Sequence, residues 1–155
     1  YAQKPPLFRN LGGGSFDPAS GGAPLQREVV ARGAAYLDYD GDGDLDVVMT
    51  TNNGPAYLLR NDTGAAASWL RIRLEGRKSN RDGVGARVRV TAGGRTMSTL
   101  VKSGGSYCSG SELIVTFGLG AAQMADRVEV IWPGGPAQVV ESTPARTLLT
   151  ITQQE

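Results

Sequence analysis

Five carboxylates fall on alternate residues of one short stretch, Asp38-Tyr39-Asp40-Gly41-Asp42-Gly43-Asp44-Leu45-Asp46. Held together without a counter-ion, they repel one another. A hard divalent cation removes that penalty, and an all-oxygen donor set of this density suits calcium. In the D-x-D-x-D-G arrangement, positions one, three and five supply side-chain oxygens, here Asp38, Asp40 and Asp42. Position six is Gly43, where the chain turns sharply. Position seven, Asp44, supplies its backbone carbonyl, and position nine, Asp46, closes the shell directly or through water. The plain alternative is a solvated acidic turn rich in Asp and Gly.

The flanks decide which kind of calcium loop is expected. An EF-hand needs a bidentate Glu at position twelve and a helix on each side; position twelve here is Met49. Gly33 to Leu37 lead in, and the β-branched run Val47-Val48-Met49-Thr50-Thr51 leads out as a strand. The loop is therefore expected to join two strands. From Ala34 to Val48, and on to Tyr57-Leu58-Leu59-Arg60-Asn61-Asp62, the unit resembles the FG-GAP repeat, also called the VCBS repeat, of integrin-like β-propellers. That resemblance implies Ca2+ held by the side chains of Asp38, Asp40, Asp42 and Asp46 and by the carbonyl of Asp44.

Phe8-Arg9-Asn10, a glycine-rich turn and Phe16 look like the end of a preceding repeat, with Tyr57 to Asn61 a weaker second copy. One repeat and a fraction cannot close a propeller. The chain, which starts at Tyr1, thus reads as a processed or excised piece of something longer. Ser20 to Pro24 reads as a flexible connector. Exposed strand edges in such a fragment invite self-association.

A chain of 155 residues holds one sizeable domain or two small ones. Its 22 glycines and 20% charged residues suit many short strands joined by tight turns. A formal net charge of +1 gives no global signal for nucleic acid, and no apolar run approaches the ~20 residues of a membrane helix. The single Cys108 cannot form an intramolecular disulfide and reads as a small, partly buried side chain. A weak calcium site favours an exported, extracellular or periplasmic protein.

Gly64-Ala65-Ala66-Ala67-Ser68 is the expected boundary between residues 1–64 and 65–155. Beyond it the pattern alternates: Leu70, Ile72 and Leu74 face one way, and Trp69, Arg71 and Arg73 the other. Val88-Arg89-Val90 repeats the pattern. Gly93-Gly94 predicts a two-residue hairpin pairing Val90 with Met97 and Val88 with Thr99. Further strands are expected over Ser111–Phe117, Arg127–Trp132, Ala137–Glu141 and Arg146–Thr152, with a short helical turn over Ala121–Ala125. Asn80-Arg81-Asp82-Gly83-Val84-Gly85, Phe117-Gly118-Leu119-Gly120 and Val128-Glu129-Val130-Ile131-Trp132-Pro133-Gly134-Gly135 follow in order. Together they resemble the ASPIC/UnbV domain across roughly residues 68–153. The resemblance implies a β-sandwich-like or barrel-like domain beside a partial propeller-type repeat, and no catalytic residue.

Two other constellations stand against plainer readings. Asn80 and Asp82 suggest a second ion, or more simply an Asx-type turn. Trp69, Arg71, Arg73, Arg87 and Arg89 would share one surface if their strands were neighbours. That face would suit an acidic glycan; the plain alternatives are a solvated face with a cation–π contact, paired with Glu75 or Glu129, or an interface with the propeller-type repeat. Enzyme readings fare poorly, because the chain has no His to serve as general base or zinc ligand. The expectation is thus a mainly β, calcium-binding, non-catalytic binding or adhesion module with a protein or glycan partner. The alternatives are a carbohydrate- or polyanion-binding module, or the non-catalytic end of an enzyme whose active site lies upstream.

Overall fold

A computed structural model describes residues 1–64 and 66–155. Among the described residues, twelve strands carry the fold, with one 3-10 turn at Ala23–Gln26. β1 (Leu7–Gly12) and β2 (Ser15–Ala19) form a separate antiparallel hairpin. β3 (Ala31–Leu37), β4 (Asp46–Thr51) and β5 (Tyr57–Leu59) form an antiparallel sheet in that order. The acidic loop is therefore the connection of a β-hairpin, as its flanks require.

The remaining strands make two facing sheets. β7 (Arg87–Ala92), β8 (Arg95–Leu100), β10 (Met124–Ile131) and β11 (Ala137–Pro144) are ordered β11-β10-β7-β8. β6 (Ser68–Glu75), β9 (Val115–Gly120) and β12 (Thr147–Thr152) are ordered β12-β6-β9. Leu70, Ile72 and Leu74 of β6 meet Val88 and Val90 of β7 and Val128 and Val130 of β10 in one core. The alternating apolar residues of both sheets point inward, as period-two patterning demands. No sheet among the described residues closes into a barrel. No helix among them is long and apolar enough to cross a membrane.

The β7–β8 hairpin pairs Val90 with Met97 and Val88 with Thr99, and both turn glycines have positive φ (55° and 75°). Trp132 is buried in the core, its Nε1–H donating to Gln138 Oε1 at 3.2 Å. Three expectations change. In place of a helical turn over residues 121–125, residues 121–123 form a bend and Met124 already opens β10. β9 begins at Val115, because residues 109–112 are diverted to the edge of β3. Cys108 is exposed, with φ 48°, rather than partly buried. The expected boundary includes Ala65, which lies outside the described residues.

Candidate metal loop and its anchorage

The loop is shaped by its own carboxylates. Asp38 Oδ1 accepts the Gly41 N–H at 2.7 Å, and its Oδ2 accepts the Gly43 N–H at 3.0 Å. Asp42 Oδ1 accepts the Asp44 N–H at 2.8 Å, an Asx-type turn. Gly41 and Gly43 have φ of 80° and 93°, a region closed to most side chains. Gly43 is also constrained by contact, since a Cβ there would strike the Trp69 indole.

Asp38, Asp40 and Asp42 each bring a carboxylate oxygen within 4.8 Å of the others. Two oxygens each about 2.3–2.6 Å from one calcium ion can be at most about 5.2 Å apart. The trio therefore fits one cation. Arg60, beside the loop, has its pKa raised by its hydrogen bond to Asp62 and by the attraction of that carboxylate, with smaller contributions from Asp40 and Asp42.

The other two carboxylates tie the loop to more distant parts of the chain. Asp46 is fully buried, and its two oxygens accept the N–H groups of Tyr39 and Asn61, both at 2.8 Å. Its side chain thereby pins the loop to the end of β5, while each oxygen keeps a second lone pair, compatible with the ligand role expected at position nine. Asp44 Oδ2 accepts the Gly64 N–H at 2.6 Å, so its side chain ties the loop to Gly64.

The loop is anchored on β6. Arg71 Nη1 lies 2.9 Å from Asp38 Oδ2, and its Nη2 reaches Glu112 Oε2 at 2.5 Å. Glu112 Oε1 in turn accepts the Asp38 N–H at 3.3 Å. The same segment covers the outer edge of β3: Ser109 Oγ and Ser111 Oγ accept the N–H groups of Ala34 and Tyr36, and the Glu112 N–H donates to the Tyr36 carbonyl.

This placement dissolves the expected arginine face. β6 and β7 lie in different sheets, so Trp69, Arg71 and Arg73 are not joined to Arg87 and Arg89. Trp69 packs on Gly43, and Arg71 is buried against the loop. Arg73 is exposed, Arg89 pairs with Glu129 at 3.2 Å, and Arg87 reaches Ser98 at 3.5 Å. At the other constellation, Asn80 exchanges two hydrogen bonds with the Val84 backbone, both 2.8 Å, closing a wider loop than the two-residue reach of an Asx turn.

Arg71, Glu112 and Gly64 were not legible as loop partners. Asn61 had a signal: it repeats Asn10, and both side chains accept an N–H two residues on, from Gly12 and Thr63 respectively. Asn61 additionally ties its own N–H to Asp46.

The ASPIC and UnbV family matches residues 76–155, and the chain belongs to it. The chain is similar to cartilage acidic protein 1 of Mus musculus and of Homo sapiens, each 28% identical over 133 residues, covering 83% of this chain and 20% of the relative. The protein of the same name from Xenopus tropicalis is 30% identical over 107 residues, 66% of this chain and 16% of its own length. The chain thus spans about a fifth of the length of the curated relatives it matches. The 133-residue likeness is longer than the 76–155 span, so it reaches into the half that bears the acidic loop.

Proposed function

We propose that this chain is a calcium-stabilised, non-catalytic binding or adhesion module of an exported protein, in which an FG-GAP-type repeat is fastened to an ASPIC and UnbV domain. The observation that carries the reading is the trio Asp38, Asp40 and Asp42, whose oxygens lie within 4.8 Å of one another at a strand–loop–strand corner. All the donors are hard oxygens, the choice of calcium rather than of a softer metal. The strands on either side, the glycines at the turning positions and the paired Asn10 and Asn61 turns support the repeat.

A weak calcium site, of the affinity that extracellular modules use, would suit an extracellular or periplasmic location. Absence of histidine and the engagement of Asp38 and Asp46 in backbone bonds argue for a structural rather than a catalytic use. Calorimetric titration of the intact chain tests this: one calcium per chain, with Kd between about 0.1 and 1 mM, is expected. No heat up to several millimolar calcium (roughly the weak end of extracellular modules) would leave an acidic turn.

A further inference from the structure

We propose, building on the calcium reading, that Arg71 sets the calcium affinity of the acidic loop: it is a built-in cation that confines Asp38 to one coordinating oxygen and weakens binding. Arg71 is only 6% exposed, and it comes from β6 rather than from the strands that bear the loop. Its Nη1 lies 2.9 Å from Asp38 Oδ2, and its Nη2 meets Glu112 Oε2. Its Nε is buried and has no partner among the described residues. The guanidinium is thus held through its two Nη groups, each on a carboxylate.

The hydrogen bonds limit what Asp38 can offer. A carboxylate oxygen has two lone-pair sites. On Asp38 Oδ2, Arg71 Nη1 and the Gly43 N–H take both. On Oδ1, the Gly41 N–H takes one and leaves the other. While Arg71 is in place, Asp38 therefore meets an ion through Oδ1 alone, and bidentate ligation is closed. Charge acts in the same direction. Asp38 and Glu112 carry two negative charges, and Arg71 cancels one of them. In a buried setting that positive charge opposes a divalent ion with little screening. Arg60, by contrast, has a side chain 57% exposed and paired with Asp62, so solvent screens it. Arg71 thereby detunes the loop toward the weak range of about 0.1–1 mM that extracellular modules use. A residue of the C-terminal unit sets the affinity of a loop in the preceding sheet.

The test is calorimetric titration of calcium into the full chain and its variants at physiological ionic strength, with the fold of each variant checked by thermal melting in EDTA. Arg71→Met should bind calcium at least tenfold more tightly than the parent. Arg71→Lys, which keeps the charge and loses the fork, should stay within threefold of the parent. Glu112→Gln, which leaves Arg71 wholly to Asp38, should bind at least threefold more weakly, and it carries the test if Arg71→Met does not fold. Arg60→Gln should stay within twofold. Calcium binding that is unchanged or weaker in a folded Arg71→Met, or unchanged or tighter in Glu112→Gln, would overturn the proposal and leave the calcium reading standing. So would Arg71→Lys or Arg60→Gln binding as tightly as Arg71→Met. A parent protein that gives no heat with calcium would overturn the calcium reading and this proposal together.

Discussion

Arg71 Nη1 sits 2.9 Å from Asp38 Oδ2, with the Asp38 side chain fully buried and that of Arg71 nearly so. A residue of β6 thereby supplies the counter-charge for a carboxylate of the acidic loop. Removing one partner of a buried pair strands the other, at a cost of about 3–5 kcal/mol. Arg71→Met should lower the stability measured by chemical denaturation by about that much. Adding Asp38→Asn to it should cost far less than the sum of the two single changes. Additive effects would mean that the pair is not formed.

Asp46 differs from its neighbours in the loop. Asp46→Ala removes the acceptor of two N–H groups, each worth about 1–3 kcal/mol when left unsatisfied. Asp40→Ala, at an exposed carboxylate, should leave the calcium-free protein unchanged or slightly more stable. Denaturation in EDTA separates the two; similar losses for both would refute the structural assignment of Asp46.

Gly41 and Gly43 share a positive φ but not their surroundings. Gly41→Ala meets open space and should cost only the left-handed strain, about 1–2 kcal/mol. Gly43→Ala adds a collision with the Trp69 indole and should cost clearly more. Equal melting temperatures for the two variants would place Trp69 away from the loop.

Much of the C-terminal unit was legible in the sequence because its information is local. A Gly-Gly turn between alternating strands fixes the Val90–Met97 register, since a slip by one residue would turn the apolar face outward. The inward set Leu70, Ile72 and Leu74 follows from the same alternation. Arg71 shows the limit of that information: alternation points it away from the core and leaves solvent, a ligand and an interface with the repeat all open for that face. The cover comes from residues 38–46 and from Glu112, 41 residues away in sequence. The parallel pairing of β12 with β6 is equally long-range, and no periodicity announces it. In the acidic loop, spacing marked the carboxylates but could not say which of them are engaged by backbone N–H groups.

Trp69 offers a direct optical report on the loop. It packs on Gly43, whereas the only other tryptophan, Trp132, is buried in the core. Calcium should change the emission of the parent protein, and Trp69→Phe should abolish that change while leaving calorimetric binding in place. A response that survives in Trp69→Phe would move the coupling elsewhere.

The most direct measurement is the melting temperature of the intact chain against calcium. A ligand at about 100 times its Kd adds about 2.7 kcal/mol, and millimolar calcium at a weak site adds less. An increase of a few degrees is expected, larger than that given by magnesium, which dehydrates reluctantly and demands octahedral geometry. Asp40→Asn and Asp42→Asn should shrink the shift. Asp44→Asn should keep it, because Asn retains an acceptor for the Gly64 N–H and the expected ligand there is the backbone carbonyl. A melting temperature that calcium leaves unmoved in the parent protein, with no calorimetric heat, would contradict the calcium-stabilised reading outright.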